Sequence, residues 1–317
     1  MTTIICCAEC GKERGVSLKA CKSCMLVKYC NPSCQSNHWS THKTACKQRA
    51  AEIRDEALFK DPPAKEDCFI CFLPMPAKLI SCISLPPATI SSVPVYDFAI
   101  AAHETLQKAN MALCYECCGK TMCGGCIHSF GTSRNMNCPY CKSVRGKTEV
   151  ETIGELMMRV EANDADAIYA LGSFYYHGSG GLLQDREKAM ELLTRAAALG
   201  SCQAHFQLGI IYYGGGNLKK AKFHYEAAAM AGHEVARCNL GCFEAETDNM
   251  GRAVKHWITA ASAGEQNSMH NLLVAFNQGS VNRNTIDSSL TAYNNSCAKM
   301  RSEARDAYIL GLRTRLR

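Results

Sequence analysis

Small and apolar residues recur with a helical period through the second half of the chain. The step Ala-x-x-x-Leu-Gly occurs at Ala167-Leu171-Gly172, Ala204-Leu208-Gly209 and Ala236-Leu240-Gly241, with a degenerate fourth copy at Ser268-Leu272. A second series, Lys188-Ala189, Lys220-Ala221 and Arg252-Ala253, opens Ala-rich stretches that end at Gly200, Gly232 and Gly264, at a constant spacing of 32 residues. A period of this length is the signature of a stacked repeat. Each unit is predicted to hold two helices, the second closed by a glycine in the left-handed conformation. Leu290–Arg317 reads as one or two capping helices, and Arg313, Arg315 and Arg317 as a solvated end.

The first 148 residues carry no such rhythm. Leu79–Ile100 is apolar and rich in proline and β-branched residues. It is expected to pack as irregular strands, followed by a helix over Phe98–Met111, because so apolar a stretch is poorly suited to lie free in water. Pro86, Pro87, Pro94 and Asp97 interrupt Leu79–Ala102, which speaks against a membrane span. Met1–Cys10 lacks the basic segment and apolar run of a secretory leader.

Cysteine changes the picture of this region. Eighteen of the 22 cysteines precede residue 142, mostly in pairs. Cys7-x-x-Cys10, Cys21-x-x-Cys24, Cys30-x-x-x-Cys34 and His42-x-x-x-Cys46 supply eight ligands, enough for two tetrahedral zinc sites. A segment this short, with few large apolar residues, buries too little surface to fold alone. Metal binding supplies on the order of 10–16 kcal/mol per structural zinc. A second set is Cys68-x-x-Cys71, Cys117-Cys118, Cys123-x-x-Cys126 and Cys138-x-x-Cys141, with Cys114, His128 and, more remotely, Cys82 as substitutes. Disulfides are disfavoured, since disulfide scaffolds are usually shorter and do not end in a long helical domain. The compartment implied is reducing and intracellular, cytoplasmic or nuclear.

The formal charge of +6 sits wholly in the first fifty residues, with eight Lys/Arg against two Asp/Glu. Thiolate ligation of four zinc ions would bring the total to roughly −1. General nucleic-acid binding needs a concentrated basic face and is not expected.

The string Tyr29–Cys46, YCNPSCQSNHWSTHKTAC, preceded by CAEC and CKSC, resembles a MYND zinc finger. The resemblance implies a cross-brace in which Cys7, Cys10, Cys30 and Cys34 hold one zinc and Cys21, Cys24, His42 and Cys46 the other, His38 being the competing imidazole. It also implies binding of proline-containing peptides, with Gln35 and Trp39 lining the groove. Four residues apart, these two would share a face of a short helix; Trp39 as mere cover for the zinc site is the alternative. The order of the second set resembles an all-cysteine RING finger. That implies one zinc on Cys68, Cys71, Cys123 and Cys126, and another on Cys117, Cys118, Cys138 and Cys141. It further implies Ile70, Pro139 and Lys142 as contacts for a ubiquitin-conjugating enzyme. The 45-residue gap after Cys71, and the lack of a Trp between Cys126 and Cys138, depart from that pattern. The repeats resemble Sel-one-like repeats, relatives of the tetratricopeptide repeat, over about 164–275. Tyr175, Tyr176, Tyr212 and Tyr213 are expected to pack within and between repeats.

The expected fold is mainly α: two small zinc-built fingers followed by an α-solenoid of two-helix repeats. Its domains are 1–50, a linker 51–66, a RING-like finger 67–148 and an array 149–317. No nucleophile–base pair, phosphate loop or open metal site is legible. The function expected is a zinc-dependent adaptor that joins proteins. The alternatives are a RING-type ubiquitin ligase, with the other modules as substrate receptors, and a transcriptional co-regulator.

Overall fold

A computed structural model describes residues 7–11, 17–65, 67–68, 70–75, 112–114, 117–118, 120–123, 125–126, 129, 137–143, 148–304 and 306. The chain divides into two compact units, Met1–Lys60 and Asp61–Arg317.

In the first unit a two-stranded antiparallel ribbon, β1 (Lys19–Ala20) and β2 (Lys28–Tyr29), leads into helices α1 (Pro32–Asn37) and α2 (Trp39–Leu58). Asn31 caps α1: its side chain accepts from the Cys34 N–H at 2.8 Å, and Pro32 supplies the fixed φ of the first helical position. The core is Cys7, Cys21, Cys24, Tyr29 and Cys46. In α2 only His42, Cys46 and Leu58 are buried. The helix runs on through residues 51–58, part of the stretch that the sequence reads as a linker. No glycine or proline interrupts it before Pro62, and Arg49 reaches both Glu52 and Glu56 along its exposed face at 3.0 and 2.8 Å.

The second unit opens with a small cysteine-rich module. An Asp67–Pro74 bridge and the antiparallel pair β3 (Ala112–Cys114) and β4 (Thr121–Cys123) frame a core of Cys68, Met75, Met122, Cys123 and Cys126. The strands and helix expected over 79–111, with Cys82, lie outside the described residues, as does His128.

The array begins at α3 (Glu149–Glu161). A capping box starts it: the Thr148 hydroxyl accepts from the Glu151 N–H while Glu151 accepts from the Thr148 N–H. Four helix pairs follow: α4 (Ala165–His177) with α5 (Arg186–Ala198), α6 (Cys202–Gly214) with α7 (Leu218–Met230), α8 (Glu234–Glu246) with α9 (Met250–Ser262), and α10 (Gln266–Asn277) with α11 (Arg283–Lys299). The glycine of each Leu-Gly step stands where two helices cross. A Cβ on Gly209 would fall 2.5 Å from the Tyr225 ring, and one on Gly241 would enter the Trp257 indole. The fourth copy has Leu273 in place of that glycine, and α11 leans on α9 as well as α10. Gly200, Gly232 and Gly264 take φ of 93°, 90° and 87°, the left-handed closure predicted for them. The C-terminal helix starts at Arg283, capped by Asn282, earlier than the Leu290 expected, and residues 307–317 with their arginines lie outside the described region.

Tyr175 and Tyr212 pack against the first core cluster. Lys188 and Lys220 lie over their rings at 4.3 and 4.9 Å. Tyr213 donates to Glu246 of the next repeat at 3.2 Å, and Arg186 sits 5.9 Å from the Tyr176 ring. These tyrosines tie the array together, as the pattern predicted.

Candidate metal centres

Four backbone knuckles place the sulfurs. After Cys7-x-x-Cys10, Gly11 turns left-handed (φ 68°) and its N–H reaches the Cys7 carbonyl at 2.9 Å. Met25, Phe72 and Lys142 do the same after Cys21-x-x-Cys24, Cys68-x-x-Cys71 and Cys138-x-x-Cys141, with φ of 58°, 51° and 63° and bonds of 3.0, 2.7 and 3.0 Å. One short loop is thus repeated four times, each bringing two sulfurs to one point. In three of the four the left-handed residue bears a side chain, a conformation that non-glycine residues adopt only when the surroundings impose it.

The knuckles converge in interleaved order. Cys7, Cys10, Cys30 and Cys34 form one cluster and Cys21, Cys24, His42 and Cys46 a second. Cys68, Cys71, Cys123 and Cys126 form a third, and Cys117, Cys118, Cys138 and Cys141 a fourth. Within each, the ligand atoms all lie within 4.8 Å of one another. Neighbouring sulfurs are 3.5–3.8 Å apart: Cys10–Cys30 3.6, Cys30–Cys34 3.5, Cys21–Cys46 3.7, Cys71–Cys123 3.8, Cys118–Cys138 3.8 and Cys117–Cys141 3.5 Å. A tetrahedron with zinc–sulfur bonds of ~2.3 Å has edges of ~3.8 Å, while a disulfide needs ~2.05 Å. The spacing fits a shared ion.

The electrostatics make the same demand. The N–H of Cys10 holds the Cys7 thiol down at about 6. Burial acts to raise Cys21 and Cys68, but backbone N–H donors outweigh it and bring them to about 6 and about 7. Several sulfurs go the other way. The Cys30 sulfur pushes Cys34 up to about 12, and burial with the Cys21 sulfur pushes Cys46 up to about 12. Burial also raises Cys117 and Cys126. Sulfurs this crowded resist full ionisation on their own, and a divalent cation removes the conflict.

His42 offers Nε2 at 3.2 Å from Cys24 Sγ and is buried. His38 stands outside the cluster. Its ring stacks on His42 at 5.7 Å, and its Nδ1 meets the Tyr29 hydroxyl at 3.0 Å, so it braces the ligand from behind. The placement of Tyr29 just before Cys30 was the only sequence sign of that support. Gln35 and Trp39 do not share one short helix. Gln35 lies in α1 and Trp39 opens α2, on either side of His38, which ends the first helix and caps the second. Both are exposed, Trp39 by 41%. Ile70 is half-buried against its own module's core, Pro139 is half-buried, and Lys142 is exposed with Nζ donating to the Pro139 carbonyl at 3.1 Å. Cys114 lies in β3, and its side chain is outside the described residues.

Residues 7–46 match the family model of the MYND finger, and residues 165–201 and 202–233 match that of the Sel1 repeat. Over 35% of its length the chain is 30% identical to an F-box protein of Arabidopsis thaliana, covering 32% of that protein. It is 46% identical over 14% of its length to a SET and MYND domain-containing protein of Dictyostelium discoideum, covering 9% of it. It is 32% identical over 26% of its length to chitin synthase regulatory factor 4 of Schizosaccharomyces pombe, covering 13% of it. The chain thus spans about a third or less of these curated relatives. Among solved structures, a Sel1 repeat protein from Oxalobacter formigenes aligns at 22% identity with TM-score 0.42, over 67% of this chain and 77% of that one. A protective antigen of uropathogenic Escherichia coli aligns at 21% identity with TM-score 0.40, over 60% of this chain and 43% of that one. The chain therefore carries a zinc-binding MYND finger and Sel1 repeats, both protein-interaction modules. Among the described residues no helix is long and apolar enough to cross a membrane.

Proposed function

We propose that the protein is a zinc-dependent adaptor. Its MYND finger holds a proline-containing peptide of one partner against Gln35 and Trp39, and its repeat array holds a second protein. The exposure of Trp39 carries this reading. Tyr29, the other aromatic residue of the finger, is 3% exposed, yet the indole presents 41% of its surface beside His42. A large exposed aromatic face is a seat for a proline ring, whose low-entropy extended backbone makes such contacts productive. In this reading four zinc ions hold the fingers, one in each cysteine cluster. Trp39→Ala tests it: proline-peptide affinity should fall by at least about tenfold while zinc content stays unchanged. Loss of zinc would make Trp39 a structural residue, and undiminished binding would move the groove elsewhere.

The interleaved order of the third and fourth clusters favours a second reading, a RING-type ubiquitin ligase. There Ile70, Pro139 and Lys142 would meet a conjugating enzyme. Ile70→Ala should leave zinc content intact. Ubiquitin chains formed by the wild type and lost in Ile70→Ala would promote this reading over the adaptor. Weak or absent transfer across a panel of conjugating enzymes is the result expected.

A further inference from the structure

The three left-handed glycines that close the second helix of each repeat are equivalent in sequence but not in surroundings. A Cβ on Gly200 would meet nothing within 4 Å. On Gly264 it would meet Met300 Cε at 2.7 Å and Ser296. On Gly232 it would meet the ring of Pro63, Cγ at 3.0 Å and Cδ at 3.3 Å. So the turn between α7 and α8 is covered by Pro63, in the segment Asp61-Pro62-Pro63-Ala64-Lys65 that leads into the second cysteine-rich module.

Two residues further on, Lys65 completes the contact. Its Nζ lies 2.8 Å from Glu234 Oε1, with the two side chains 21% and 10% exposed, and 3.8 Å from Met300 Sδ. Glu234 stands in the first turn of α8, where the helix N-terminus favours a carboxylate. The features together make a small receptor. A glycine without Cβ lets a proline ring lie against the turn, a low-exposure carboxylate takes an ammonium two residues later, and a thioether flanks the lysine. Pro63 itself stays exposed on the surface, so exchanging it demands no rearrangement of the array.

We propose that Gly232, Glu234 and Met300 form a recognition site for Pro-x-Lys segments. Pro63-Ala64-Lys65 occupies it in cis, and a protein partner carrying the same sequence binds by displacing them. This rests on reading the array as a protein-binding surface. A segment tethered this closely has an effective concentration on the order of millimolar, so a free competitor is suppressed until the tether lets go. The apparent affinity of a competitor scales with the fraction of protein whose site is open.

The test uses the full chain and a fluorescent, end-capped peptide of sequence Asp-Pro-Pro-Ala-Lys. Lys65→Ala, which removes the cis ammonium and leaves the receptor intact, should bind the peptide at least about tenfold more tightly than the wild type. Adding Glu234→Gln should abolish the gain. A charge exchange guards against a misfolded variant: Lys65→Ala with Glu234→Lys should take Asp-Pro-Pro-Ala-Glu in preference to the lysine peptide. Equal binding by wild type and Lys65→Ala, indifference to Glu234→Gln, or no preference after the exchange would each overturn the proposal. Peptide binding at Trp39 is a separate measurement on the other unit, so failure here leaves the finger half of the adaptor reading standing.

Discussion

Among the described residues of 7–60 the buried side chains are Cys7, Cys21, Cys24, Tyr29, His42, Cys46 and Leu58; in the array they are mostly Leu and Ala, with Ile, Val, Phe, Tyr, Trp and Met, together with buried polar residues such as Arg237, Glu244 and His256. The first unit has one buried tyrosine among its clustered cysteines, and a helix, α2, that is polar nearly all round. The array buries whole side chains between successive helices: Leu171 and Leu193, then Phe206 and Tyr225, then Trp257 and Leu272. The difference decides what each can survive. A fold organised around ligands fails in one step when a ligand goes. A fold organised around distributed apolar contacts loses stability in proportion to the contacts removed.

The largest effect should come from removing metal. Chelation, or Cys24→Ser, should unfold residues 7–46, a loss on the order of 10 kcal/mol. The array helices should keep their melting temperature. Hydrogen exchange resolved by peptide reads both at once, and a coordinated collapse of the array would break the comparison.

Next comes crowding inside the array. Gly241→Ala drives a Cβ into Trp257 and should cost about 3 kcal/mol by denaturant unfolding, whereas Gly251→Ala, with nothing within 4 Å, should stabilise α9 by about 0.5 kcal/mol. Equal effects at the two sites would show that the Leu-Gly step is not the close crossing.

A smaller loss comes from charge. Burial acts to raise the Glu244 carboxyl, but the hydrogen bond and charge of Lys222, then Arg252, outweigh it and leave it below its ordinary value of 4.5. Because the folded value is depressed, the stabilisation is fully present above the unfolded value and is lost as pH falls through the folded one. The array should therefore weaken below about pH 4.5, and Glu244→Gln should flatten that dependence at a cost of about 2 kcal/mol near neutrality. Melting curves between pH 3 and 7 would show it. The smallest stability effect belongs to Trp39→Ala, expected at about 1 kcal/mol because the side chain is 41% exposed. A large loss of finger stability would place the indole with the structural residues.

Much of this was legible beforehand because it is local. A C-x-x-C pair needs one tight turn, so its spacing announces it wherever it occurs. A glycine closing a helix repeats with the repeat itself, which is why Gly200, Gly232 and Gly264 read correctly in advance. The array helices were equally plain, since a continuous core demands the same small and apolar positions in every unit. The boundary after the first finger was not. The stretch after residue 50 buries only Leu58, too little to give it a period, while helix-forming residues and the Arg49 ion pairs support α2 along its exposed side.

By itself, then, the sequence determined the closely spaced cysteine pairs, the two-helix unit and its count, and the turn residues between helices. These follow from nearest-neighbour geometry along the chain. Only the tertiary structure decided that His38 stacks behind His42, and that Gln35 and Trp39 fall on two helices rather than one. It alone placed Lys65 against Glu234. The two lie far apart in the chain and belong to no shared period, so only the packed backbone brings the ammonium and the carboxylate within reach.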